Sequence, residues 1–201
     1  PLEVPTYRKI VNIVSGVHIY WNAVDNAKTY NLYRSTSRNS GYELVKSGIT
    51  TSHYVDTTVT SGKTYYYKVQ ACNGAIKCTW PSTVSSITYV GTPDITSRVN
   101  NASGIKLGWN KISGATGYAI YRKAFNGNTW TRVKTITGNT TFTWTDTSVK
   151  ANNGTVYKYT IRALAGSNRA TLSGCRNTGR TMARLSSQVL SSAKKASSTT
   201  I

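Results

Sequence analysis

The stretch Ser103–Arg122 reads "SGIKLGWNKISGATGYAIYR", and Ser15–Arg34 reads "SGVHIYWNAVDNAKTYNLYR". Gly16, Trp21, Asn22, Ala27, Tyr30, Tyr33 and Arg34 recur 88 positions later as Gly104, Trp109, Asn110, Ala115, Tyr118, Tyr121 and Arg122. The match continues at slowly growing offsets. "YVDTTV" (Tyr54–Val59) meets "WTDTSV" (Trp144–Val149), and "TYYYKVQA" (Thr64–Ala71) meets "VYKYTIRA" (Val156–Ala163). Growing offsets mean small insertions, which belong in loops between elements. A repeat of this length is too long for a solenoid unit and reads as two similar domains in tandem.

Within each copy the apolar residues recur every second position. Ile105, Leu107 and Trp109 alternate with Lys106 and Gly108, and Tyr157, Tyr159, Ile161 and Ala163 alternate with Lys158, Thr160 and Arg162. Period two is the signature of half-buried strands. Turn pairs such as "SG", "NG" and "GN" punctuate the chain at strand-length spacing. About seven short strands per copy predict an all-β fold of two antiparallel sandwiches.

The Trp on the second strand, "Y-x-[IL]-Y-R" on the third, "D-T" closing the fifth and "T-Y-x-Y-x-V-x-A" on the sixth resemble fibronectin type III modules, above all those of Gram-positive surface and secreted proteins. The resemblance covers about residues 4–182. It implies that Trp21 and Trp109 are core tryptophans. It also implies that Tyr65 and Tyr157 are tyrosine-corner residues whose hydroxyls bond back to the backbone. No "RGD" is present to support an integrin role. The expected domains are 1–90 and 91–182. The tail 183–201 is rich in Ser, Thr and Lys and is similar to the first strand of a further copy. That likeness suggests a piece of a longer array, or a strand donated to a neighbour through residues 185–201.

The charge is lopsided, with 25 basic residues against 6 acidic ones. Such a balance speaks of partners rather than fold. It favours an anionic polysaccharide or an acidic protein surface, with nucleic acid as a weaker alternative. No apolar run is long enough for a membrane helix, so no membrane insertion is expected. Residues 91–182 hold thirteen bases and two acids, whereas residues 1–90 hold nine and four, so the second copy is the better polyanion candidate. Alternation places Ala119, Tyr121 and Lys123 of one strand beside Lys158, Thr160 and Arg162 of its neighbour on one outward face. Arg169, Arg176 and Arg180 would extend it. The equivalent face of the first copy shows Asn31, Tyr33, Tyr66, Lys68 and Gln70. Trp80 and Trp130 have no counterpart in the repeat, and each is either local packing or an exposed contact.

Cys72 and Cys78 flank five residues at the end of one strand and the start of the next. That spacing allows a hairpin disulfide and an oxidising compartment, or two free thiols. Cys175 has no partner in its own copy. No metal site is expected, because the only histidines are His18 and His53 and no ligand spacing suits zinc. No catalytic motif or cofactor loop is present. Asp56 and Asp146 sit at equivalent strand ends beside Thr and read as turn caps.

The expected role is therefore non-catalytic: an extracellular spacing and adhesive module meeting an anionic polymer. Two alternatives stand beside it. One is a structural subunit of a virion or filament held by its C-terminal strand. The other is an accessory glycan-binding module of a secreted enzyme.

Overall fold

The computed structural model describes residues 2–74, 78–80, 83–149, 156–166, 168–169 and 180–183. The described secondary structure is entirely β, arranged in two compact units that part between Thr92 and Pro93. A few residues of the second repeat, Ile112–Thr116 among them, group with the first unit.

The first unit has seven strands: β1 (Tyr7–Ile13), β2 (Gly16–Trp21), β3 (Thr29–Ser35), β4 (Glu43–Ile49), β5 (His53–Asp56), β6 (Thr64–Cys72) and β7 (Ser85–Thr88). They form two antiparallel sheets in the orders β1-β2-β5 and β4-β3-β6-β7. Alternation sends Val17, Ile19 and Trp21 inward from the first sheet. Tyr30, Leu32, Tyr65, Tyr67, Val69 and Ile87 meet them from the second. Trp21 is fully buried and lies edge-to-face against Tyr30, with ring centroids 5.4 Å apart.

The second unit repeats the plan with β8 (Ile95–Asn101), β9 (Gly104–Trp109), β10 (Gly117–Ala124), β11 (Thr131–Thr137), β12 (Thr143–Asp146), β13 (Val156–Ala165), β14 (Asn168–Arg169) and β15 (Arg180–Ala183). Its sheets run β12-β9-β8 and β11-β10-β13. Where one last strand was expected, β14 and β15 both pair with β13 at different heights. Trp109 packs edge-to-face on Tyr118 at 5.6 Å, as Trp21 does on Tyr30.

A buried carboxylate ties the two sheets of each unit together. Asp56 closes β5 and accepts hydrogen bonds from Arg34 Nη1 (2.8 Å) and from the Tyr67 hydroxyl (2.9 Å). The backbone N–H and hydroxyl of Thr58 donate to its other oxygen at 3.0 and 2.7 Å. Asp146 does the same with Arg122 (2.7 Å), Tyr159 (2.9 Å) and Ser148 (3.1 and 2.6 Å). The sequence reading of these aspartates as turn caps describes one oxygen of each. The other oxygen holds an ion pair whose carboxylate is buried. Burial opposes ionisation of Asp56, but the bonds from Thr58, Arg34 and Tyr67 outweigh it and hold the carboxyl below its ordinary value. Burial and then the Asp56 charge push the Tyr67 phenol far up, so it remains a donor, and Tyr159 follows suit beside Asp146.

Gly16 opens β2 at a φ of 153°, and Gly104 opens β9 at 151°. A Cβ on either would press into the backbone carbonyl of Asp56 or Asp146. Only glycine lets that strand pass so close to the carboxylate residue. Tyr65 accepts the backbone N–H of Thr60 on its hydroxyl at 2.9 Å, while the Arg122 guanidinium sits 5.1 Å from the centre of the Tyr157 ring.

Cys72 and Cys78 are joined in a disulfide across an isolated antiparallel bridge. Cys175, Arg176 and the tail 183–201 apart from Ala183 lie outside the described residues.

Removing the Asp56 carboxylate strands a buried phenol and a half-covered guanidinium. Asp56→Ala should therefore cost the first unit about 3 kcal/mol in urea unfolding. Because the folded carboxyl titrates below the unfolded one, its contribution is complete above the ordinary carboxylate range and is lost as pH falls below about 4. The gap between wild type and variant should close in acid, which unfolding at a series of pH values checks. Replacing both Cys72 and Cys78 by Ser should cost about 2 kcal/mol, the loop-closure entropy of so short a ring.

Candidate functional site

The outward positions of β3 and β6 build a small polar and aromatic surface on the first unit. Antiparallel register sets Asn31 opposite Gln70, Tyr33 opposite Lys68 and Ser35 opposite Tyr66. The Gln70 side-chain oxygen accepts from Asn31 Nδ2 (3.2 Å) and from the Tyr33 hydroxyl (3.1 Å). This fixes the tilt of the Tyr33 ring. The exposed Leu44 of β4 lies opposite Tyr33 in register, and Trp80 lies beside it with ring centroids 4.8 Å apart. Trp80 keeps 58% of its surface in solvent. Lys68 holds its ammonium 4.3 Å from the centre of the Tyr42 ring. Leu44, Tyr33 and Trp80 thus make an apolar ledge with amide groups along one side. Next to the disulfide, Lys28, Thr29, Asn31 and Gly74 line a shallow cleft of about 390 Å³.

The second unit carries the same scaffold with different chemistry. Tyr121 and Arg162 occupy the positions of Tyr33 and Gln70. Arg162 Nη1 donates to the Tyr121 hydroxyl at 3.2 Å, and the guanidinium stacks 5.7 Å from the ring centre. The open face expected around these two residues is not open: Tyr121 is 8% exposed and Arg162 7%. Ala119 and Thr160, also on the outward phase, are buried too. Each of Tyr121 and Arg162 covers the other, and Arg162 Nε is buried without a hydrogen-bond partner. Alternation assigns these side chains to the outward phase, and none of the four is exposed.

Lys123 and Lys158 remain partly exposed. Lys158 stands 4.3 Å from the centre of the exposed Phe125 ring and Lys123 5.4 Å from that of Trp130. Arg169 and Arg180 fall on β14 and β15, paired with Leu164 and Tyr159 of β13 respectively. The guanidiniums of Arg34 and Arg122 are committed to the buried carboxylates. Lys123 and Lys158 are thus poised over aromatic rings, and Arg132 and Lys134 of β11 are exposed beside them on the same sheet.

Of the two tryptophans that sequence reading left undecided, Trp130 is partly buried and Trp80 is exposed. It has no repeat counterpart, so nothing in the alignment spoke for exposure. The one signal was its place two residues after a cysteine that closes a hairpin.

No family model matches the chain. A stretch of 61 residues is 46% identical to the amylopullulanase of Thermoanaerobacter thermohydrosulfuricus, covering 29% of this chain and 4% of that enzyme. The chain therefore spans only a small part of the curated relative it matches. Among solved structures, an Fn3-like protein from Clostridium thermocellum is 29% identical over 43% of this chain and 95% of its own, with a TM-score of 0.38. The two-domain fibronectin type III segment of chicken tenascin aligns over 90% of this chain and 97% of its own, at 14% identity and a TM-score of 0.40. The sheet orders β1-β2-β5 with β4-β3-β6-β7 recur in the second copy with the same buried Asp–Arg–Tyr triad, and the chain folds as two antiparallel β-sandwiches of fibronectin type III type in tandem.

Proposed function

We propose that this chain is a non-catalytic accessory module of an exported, glycan-processing protein, and that its first sandwich holds a polysaccharide chain on the ledge of Leu44, Tyr33 and Trp80. The observation that carries the reading is Trp80, a large aromatic left 58% exposed and packed, tilted by 41° with ring centroids 4.8 Å apart, on a tyrosine that Gln70 holds in place. An exposed indole beside the partly exposed Asn31 amide suits a sugar ring, whose C–H face lies on the aromatic while a hydroxyl reaches the amide. The partial match to an amylopullulanase supports a glucan as the first ligand to try. The disulfide supports an oxidising, extracellular location. The buried aspartates serve the fold: their oxygens are occupied by donors from three residues each, which leaves them no part in acid–base chemistry.

A second reading, an anionic polymer or acidic protein held by the second sandwich, draws on its thirteen bases against two acids. Its contacts would be Lys158 over Phe125 and Lys123 over Trp130. The structural-subunit reading rests on residues 185–201 and Cys175, which lie outside those described.

Affinity electrophoresis of the full chain through gels containing soluble starch or pullulan separates the first two readings. Trp80→Ala should weaken retardation about tenfold, the loss of one stacked aromatic, and added salt should leave it unchanged. Retardation by a polyanion that collapses with salt and is abolished by Lys123→Ala with Lys158→Ala, with none by glucan, would instead establish the second.

A further inference from the structure

Both histidines of the chain stand on the outer face of the three-stranded sheet of the first unit. β2 and β5 pair with Tyr20 opposite His53 and His18 opposite Val55, so His18 and His53 are diagonal neighbours on one face. His18 Nε2 lies 3.1 Å from His53 Nδ1, and the rings meet edge-on at 62°. The Tyr20 ring stacks on His18 with centroids 4.0 Å apart, and its hydroxyl lies 2.8 Å from His18 Nδ1. Two neutral imidazoles at this separation share one proton, one nitrogen donating and the other accepting.

A divalent cation can take the place of that proton. With imidazole–metal bonds of about 2.05 Å, two nitrogens 3.1 Å apart subtend about 98° at the metal. That angle lies between the roughly 90° of a square-planar or octahedral edge and the roughly 109° of a tetrahedron. The two nitrogens need not move apart to admit the ion, though each ring must turn by up to about 41° to aim its lone pair off the N–N line. Tyr20 supplies what a ligating histidine needs on its far side, an oxygen to accept Nδ1–H and hold the tautomer that leaves Nε2 free. His53 is exposed and His18 half-buried, so water can complete the coordination sphere. Lys9 of β1, opposite Tyr20 in register, is the cation that opposes an incoming ion, and its long stem lets the ammonium swing away.

From this geometry we infer that His18 and His53 form a two-histidine site for a first-row divalent transition cation such as Zn²⁺ or Cu²⁺, with Tyr20 as its positioning residue. The site lies on the opposite sheet from the aromatic ledge and stands or falls apart from the proposed glycan role. Among the described residues no group of three His, Cys, Asp or Glu could hold a metal, so two nitrogens and solvent are its whole ligand set.

Because the chain has only two histidines, their imidazole C–H signals report on this site and no other. Zinc chloride is titrated into the full chain while both signals are followed by NMR. Both rings should shift together and saturate at one equivalent. His53→Ala, a change at an exposed position, should weaken the response of His18 at least tenfold. Tyr20→Phe should weaken binding about tenfold with the melting temperature unchanged. Copper should bind more tightly than zinc. The inference is overturned if the rings respond independently, if either single-histidine variant keeps wild-type affinity, or if neither signal moves.

Discussion

A buried carboxylate at the end of the fifth strand of each sandwich governs where the other strands can go. Asp56 and Asp146 belong to the three-stranded sheets, while their partners Arg34 and Tyr67, or Arg122 and Tyr159, belong to the facing sheets. The contact therefore crosses the core. An ionised carboxylate out of water is costly unless donors surround it, and here each is met by a guanidinium, a phenol and a turn. Those donors must come from particular strands in particular registers. A one-residue slip in β3 or β6 would turn Arg34 or Tyr67 to the wrong side of its sheet and leave the charge alone. The apolar alternation would tolerate several packings, and the carboxylate selects among them.

Much of the fold was legible because it is written twice. Residues that recur at three different offsets mark positions that packing holds while loops drift, and period-two alternation gave the faces. What escaped was whatever depends on neighbours in other strands. The second oxygen of Asp56 and Asp146 was invisible because Arg34 and Tyr67 flank the aspartate at long range in the chain. Tyr121 and Arg162 were assigned to the outward face, but direction is a property of one strand and exposure a property of several. The contact between His18 and His53 arises from diagonal pairing across β2 and β5, which no spacing along the chain reveals.

The two outer faces show how one scaffold can carry two chemistries. Tyr33 bonds to the neutral Gln70 in the first copy, and Tyr121 bonds to the charged Arg162 in the second, at almost the same distance. The exchange of one side chain puts a cation where the first copy has an amide, each buried to the same degree. Around it, Lys123 and Lys158 stand over Trp130 and Phe125, where the first copy has Leu44 and Trp80 beside the tyrosine. The cores beneath keep the same edge-to-face Trp–Tyr pair. Surface divergence over a constant interior is what the shared triad permits.

The Cys72–Cys78 cross-link has a consequence for any ligand that lies on the ledge. Trp80 leaves the hairpin two residues beyond Cys78, and the N–H of Thr79 between them is bonded to the carbonyl of Ala71. The backbone leading to the indole is thus restrained before anything binds. Immobilising a free loop and its side chain on association costs about 0.5–1.5 kcal/mol per ordered group, and a restrained one loses less. The disulfide, which lies against the Asn31 amide, would lower the entropy that docking of the proposed ligand must overcome. Its oxidation state becomes a property of the binding surface as well as of the fold.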